Sequence, residues 1–319
     1  MIGRYHPARR AIWSALRRRP RALLALLAWS SVEALPALLS GYLTARAVDQ
    51  GFLAGRVAVG LGWLAALGVA VLVAGVGTDR TYRALAGLVE PFRDELLAGV
   101  AAGALRRAVA AGGRPDASPV ARLTHQVEIV RDTFGGMVMV VRGFIFTAAG
   151  ALIGLLSLAP LLAALAAAPL LLGLGLFLAT LPAAVTRQRE YVLAAEGLAE
   201  QAGQAVAGAR DVVACGAEER VAAGLDVHID SQARAERRLA GMAAARSLCL
   251  AVGGWLPLVL LLAVAPWLVS RGMTAGAVLG ALVYVTQALQ PALHTLVRGL
   301  GGGGVRLLVT LDRLLTADE

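Results

Sequence analysis

The residue types that most often do chemistry are scattered through this sequence without the spacing that chemistry needs. The four histidines, His6, His125, His228 and His294, stand far apart, with no metal-ligand pattern among them. The two cysteines, Cys215 and Cys249, make no CxxC pair, which argues against both a disulfide framework and a zinc site. Cys215 reads as a small buried residue rather than a redox switch. No nucleophile–base pair and no carboxylate pair of glycosidase character stands out, so no residue is assigned a catalytic role. A Walker-type phosphate loop needs Gly-x4-Gly-Lys-Ser/Thr, and the sequence contains no lysine at all. The nearest glycine cluster, Gly299 with Gly301, Gly302, Gly303 and Gly304, follows no strand pattern and reads as close helix packing or a hinge.

What remains is a handful of polar residues set inside long apolar runs. Glu33 is one, with Ser40 and Thr44 near the same helical face. Arg142 is another. Gln287, Gln290, His294 and Arg298 fall at i, i+3, i+7 and i+11, which is one helical stripe. Polar and charged groups at bilayer depth are costly and usually functional. One reading has these residues line a central cavity and touch a substrate. The other makes Glu33 and Arg142 an internal ion pair or a snorkelling pair, and gives the stripe to hydrogen bonds across a dimer seam. Both readings keep them away from lipid.

The elements that position these residues are membrane helices. Hydrophobic residues make up 58% of the 319, and charged residues only 16%. That is more apolar and less charged than a soluble chain of this size requires, so the lipid bilayer is the expected surroundings. A spanning helix needs about 20 mostly apolar residues. Six such segments are legible, near residues 22–47, 57–77, 137–158, 161–185, 248–269 and 275–297. The expected fold is therefore an all-α membrane protein with six transmembrane helices.

The loops alternate between short and long. Those at 50–56, 159–160 and 270–274 are short, the second a Pro160 turn and the third broken by Gly272. Those at about 78–136 and 186–247 are long. All 30 basic residues are arginines, giving a net charge of +9. They crowd into the arm at residues 1–21, the two long loops and the C-terminal tail, whereas the short-loop side carries only Arg46, Arg56 and Arg271. Positive charge marks the cytoplasmic side, so both termini and both long loops are expected inside a plasma membrane. This placement argues for membrane orientation and against a nucleic-acid partner. The basic arm before an apolar run resembles a secretion signal, but the run is too long and five more follow.

The long loops are rich in Ala, Leu, Glu and Arg at 90–110 and 188–211, which are good helix formers. The membrane helices are expected to continue through them into the cytoplasm, break, and return. The breaks fall at Gly112-Gly113-Arg114-Pro115-Asp116 and near Cys215-Gly216-Ala217-Glu218. Two such hairpins on one face would form a docking platform, a use that loops of this length ask for.

Three segments resemble a known family. ARLTHQVEIVRD at residues 121–132 is similar to its arginine–leucine–threonine stretch just after a first coupling helix. GARDVVACGAEER at 208–220 is similar to the segment that holds its second coupling helix. GMTAGAV at 272–278, with Tyr284 and Gln290-Pro291, is similar to the start and continuation of its sixth helix, and Arg313-Leu314-Leu315 to the lead into its ATPase domain. Together, in order around six spans, they resemble the transmembrane domain of ABC exporters of the six-helix, domain-swapped type. Gln126 and Gln204 stand where that family usually has acids, and Val213 and Cys215 where it usually has basic and aromatic residues.

The resemblance implies a dimer of two such chains, identical or different. It implies separate ATPase domains holding ATP and magnesium, and export of a small molecule, lipid or peptide. It places ATPase coupling at Arg114, Pro115, Asp116 and Ser118 around the first turn, and at Val213, Cys215, Glu218 and Glu219 around the second. Glu218 and Glu219 read equally well as a solvated helix end. The sequence stops at Asp318-Glu319, about where the family's ATPase domain starts, so that domain is expected on another polypeptide or on a missing half. The abundance of Ala, Gly and Arg fits a GC-rich bacterial gene. Two other classes stay open: an ATP-independent carrier, for which no inverted repeat is legible, and a non-transporting scaffold or regulator that keeps the exporter fold.

Overall fold

A computed structural model describes residues 19–110 and 117–304, and every element in them is helical. The first span is α1 (Pro20–Glu33), α2 (Leu35–Arg46) and a π-helical turn at Ala47–Phe52. Pro36, in the first turn of α2, lacks an amide N–H for the turn before it, which accounts for the interruption at Ala34. Next come α3 (Val57–Ala110), α4 (Ala117–Leu158) and α5 (Pro160–Ala207), and then the short α6 (Ala209–Ala214) and α7 (Glu218–Leu250). A π-turn at Ala251–Trp255 leads into α8 (Leu256–Ser270). The last span is α9 (Ala275–Val283), a π-turn at Tyr284–Leu289, α10 (Gln290–Gly299) and a final π-turn at Leu300–Gly304.

Six of these helical runs are long and apolar enough to cross a membrane. Several are far longer than a bilayer needs. The 54 residues of α3 extend about 80 Å at a rise of about 1.5 Å per residue, against a hydrocarbon core of about 30 Å.

The chain divides into two compact units. One joins residues up to Gly173 with those from Leu250 onward, and the other is Leu174–Cys249. In the first unit α1 lies along α3, α2 packs on α3, α4 and α9, and α4 continues along the Tyr284–Leu289 turn and α10. The second unit is an antiparallel hairpin of the later part of α5 with α7. Arg187 Nη1 donates to the Arg238 carbonyl at 3.2 Å and reaches Met242 Sδ at 3.1 Å, and Arg238 lies 3.7 Å from Glu190. At the tip, Gly208 interrupts the helix, α6 follows, and Gly216 at φ +59° takes the left-handed turn that a side chain would resist. The break expected near Cys215 is there, and the extra stop at Gly208 divides the helix expected through Asp211.

Glycine sets how closely three spans of the first unit approach. Tyr284 is fully buried in a slot walled by Gly41 and Gly154, and Gly280 of its own helix sits against Gly41. Its hydroxyl donates to the Leu38 carbonyl at 2.5 Å and accepts the Tyr42 N–H at 3.0 Å. The phenol thus bridges the amide and the carbonyl that a regular helix would join directly, and it ties the last span to α2. A Cβ at Gly41 would strike the Gly280 carbonyl and the Tyr284 ring, and one at Gly154 the Tyr284 hydroxyl. Between membrane helices, where water provides no hydrophobic drive, such small-residue contacts and cross-helix hydrogen bonds hold the bundle.

Two changes test this slot. Tyr284→Phe should lower stability by about 1 kcal/mol, and Gly154→Ala by about 2 kcal/mol through overpacking. Gly62→Ala, with nothing within 4 Å of the added Cβ, should be silent. Thermal unfolding in mild detergent would check all three, and equal melting of the two glycine variants would contradict the slot.

Candidate functional site

Two polar arrangements lie within the first unit. The earlier one in the chain joins α1 to α4. Arg142 is buried, and its Nη1 lies 2.6 Å from Glu33 Oε2, with Nη2 at 3.4 Å from Oε1. Nη1 also donates to Ser30 Oγ at 3.0 Å, while the Ser30 hydroxyl donates to the Leu26 carbonyl. Gly77 of α3 lets that helix come close, since a Cβ there would be 2.8 Å from the Glu33 backbone nitrogen. Of the two readings left open for Glu33 and Arg142, the structure has the internal ion pair. A buried guanidinium needs such a partner, because the uncompensated charge costs far more than the pair gains.

The second arrangement is the stripe on the last span. Leu289, Leu293, Leu296 and Val297 are buried on one side of this helix. Gln287 and Arg298 are exposed, and Gln290 and His294 half-buried, so the four lie away from that core. Pro291 and Thr295 share the exposed side, with the Thr295 hydroxyl donating to the Pro291 carbonyl at 2.9 Å. Gln290 directly follows the Tyr284–Leu289 π-turn and packs beside Gly254 in the Ala251–Trp255 π-turn, where a Cβ would meet Gln290 Cγ at 3.3 Å. A Cβ at the neighbouring Gly253 would clash with Leu293. The Ala251–Trp255 π-turn therefore packs on the start of α10, directly after the Tyr284–Leu289 π-turn, and such bulges often mark functional sites.

The remaining expected residues do not join these groups. Ser40 and Thr44 are half-buried on α2, and the Thr44 hydroxyl donates to the Ser40 carbonyl at 2.7 Å, so its proton is already committed. Arg114, Pro115 and Asp116 lie outside the described residues, and Ser118 is in the first turn of α4. Val213 lies in the last turn of α6, and Glu218 and Glu219 open α7, where negative charge suits the helix N-terminus. All three are exposed. Cys215 is exposed as well, which overturns the burial expected of it. It sits in the turn after α6, where the chain reverses and has no core to enter.

Three contributors were given no site role by reasoning from sequence. Ser30 supports the ion pair, and Tyr284 fills the glycine slot. Asp49 Oδ1 accepts the Gly276 N–H at 2.9 Å, beside the Thr274 hydroxyl that caps Ala277 N–H at 3.2 Å. Asp49 and Thr274 thereby satisfy amides at the start of the last span that would otherwise lack partners. A polar residue one turn from Glu33 was the only signal for Ser30.

Within the first unit, the hairpin of α3 and α4 is clasped by Arg131 to Glu90 at 2.5 Å and Arg93 to Glu128 at 2.5 Å, over a core of Val89, Phe92, Val127, Val130 and Phe134. Leu300–Gly304 is a π-turn at the end of a helix rather than a loop between strand and helix, and no lysine exists to reach a phosphate. Among the described residues no group of His, Cys, Asp or Glu is placed to hold a metal.

No family model matches the chain. Over 314 residues it is 46% identical to "ABC transporter ATP-binding protein RamB" of Streptomyces coelicolor, covering 97% of this chain. It is a homologue of an ABC transporter protein. The alignment takes in 50% of the relative, so the chain spans about half the length of that transporter protein.

The ion pair predicts non-additive energetics. Arg142→Met alone should destabilise the protein by about 3 kcal/mol, because Glu33 is left without its partner. Combining it with Glu33→Met should recover most of that loss. Melting temperatures of the two single variants and the double variant measure the coupling, and simple additivity would contradict a direct pair.

Proposed function

We propose that this chain is the membrane-spanning part of an ATP-driven exporter of the ABC type. The observation that carries the reading is the 46% identity to an ABC transporter protein along nearly the whole chain, in a chain with six helices apolar enough to span a bilayer. Two such chains, identical or different, would assemble in the plasma membrane of a bacterium. The arginine distribution supports placing both termini and both long helical hairpins in the cytoplasm.

ATP and magnesium would be held by ATPase domains outside these residues. The hairpin tips are the proposed docking points, at Arg114, Pro115, Asp116 and Ser118 on the first and at Val213, Cys215, Glu218 and Glu219 on the second. Exposure of the second tip supports this role. Long continuous helices suit it too, because a rigid rod carries a displacement at its tip into the membrane. The stripe of Gln287, Gln290 and His294 would face the cargo, and the Glu33–Arg142 pair would hold α1 and α4 together beside it.

Purification from native membranes in mild detergent, with identification of the co-purifying chains and an ATPase assay, tests the proposal. An ATP-binding chain or domain should accompany the protein. Replacing Glu218 and Glu219 with Gln, or Val213 with Asp, should weaken that association or lower the ATPase rate several-fold without changing the melting temperature. A stable protein with no ATP-binding partner and no ATPase activity would instead support a scaffold or an ATP-independent carrier.

A further inference from the structure

The polar residues of the apolar spans are unequal in charge. Within the apolar stretches near residues 22–47, 57–77, 137–158, 161–185, 248–269 and 275–297, Glu33 is the one carboxylate, and it is held by Arg142. From Ala275 to Gly304 the last span has no acidic residue. Arg298, exposed at its end, has no ion-pair partner among the described residues. One turn before it stands His294, then Gln290 and Gln287 in order along the same face. The face therefore offers fixed positive charge at the end nearest the basic side of the chain and uncharged amides toward the middle of the span. Apolar side chains flank it, and Gly254 leaves room beside Gln290.

Arg298 directly follows the last apolar segment at its cytoplasmic end, where water or an anion can stand opposite the guanidinium. An anion is the better match for Arg, whose planar fork of donors binds carboxylate or phosphate oxygens two at a time. Resting on the reading of the stripe as the cargo face, we propose that the cargo is an anionic amphiphile. Its carboxylate or phosphate head pairs with Arg298 near the inner end of the span, and its apolar body lies along Gln290 and Gln287 toward the membrane centre. His294 and the two amides supply hydrogen bonds next to the head, and the absence of a competing carboxylate on the span leaves the anion unopposed.

The test uses the full chain with any retained partners, placed in phosphatidylcholine nanodiscs. The probes are dansyl-labelled undecanoic acid and its uncharged methyl ester, and affinity is read from dansyl fluorescence. The wild type should bind the acid about tenfold tighter than the ester, the size expected of a charge-assisted hydrogen bond. Arg298→Gln should erase that preference with no change in melting temperature, because the side chain is exposed. Arg234→Gln, an exposed arginine on α7, should leave the preference intact. Equal binding of acid and ester by the wild type would overturn the proposal. So would a preference that survives Arg298→Gln, which assigns Arg298 to lipid headgroups, or one lost equally in Arg234→Gln, which assigns it to overall charge. The binding assay needs no ATPase. A chain that prefers the acid but recruits no ATPase keeps this inference and loses the exporter reading, and the reverse result separates them the other way.

Discussion

Arg142 enters the seam between α1 and α4 with a charge that hydrocarbon cannot solvate, and Glu33 meets it at 2.6 Å. Water would compete for both groups and leave such a pair worth little. In a bilayer the alternative is an unpaired ion, so the contact fixes the rotation of α1 about its axis. The rest of the first span follows from that constraint. Ser30, one turn earlier, is turned toward the guanidinium. Gly77 on α3 must be small because α1 cannot move aside without parting the pair.

A second constraint concerns the backbone. Irregular turns need partners for amides and carbonyls wherever no water reaches. The last span has two π-turns and a proline yet stays anchored, because the Tyr284 hydroxyl serves two backbone groups of α2 at once. The Gly41–Gly280 contact brings α2 and α9 close enough for that reach. At the other end of α9, Asp49 and Thr274 do the same for the first amides. The last span is thus pinned at its start and near its middle, and both pins involve the first span.

Much of this was legible from sequence because lipid imposes a simple length rule. Six runs of about 20 apolar residues stand out in any reading, and the polar stripe emerged because helical spacing is regular. Glu33 and Arg142 were noticed as misfits, but spacing could not pair residues 109 positions apart. The two glycines that wall Tyr284, Gly41 and Gly154, were invisible for the same reason. They come from two other spans, and periodicity within one segment carries no information about what faces it. The burial expected of Cys215 failed because a small residue type says little in a turn that has no core behind it.

The last span also divides the labour of change between its two sides. Its inner side, with Tyr284, Gly280 and Leu293, meets backbone and close-set side chains, and almost any substitution there would strain the bundle. Its outer side, with Gln287 and Arg298, is exposed among the described residues. Mutation can therefore explore that outer side at little risk to the packing of the inner one. Related chains could differ at a few positions along one line, while the scaffold that presents the line stays the same.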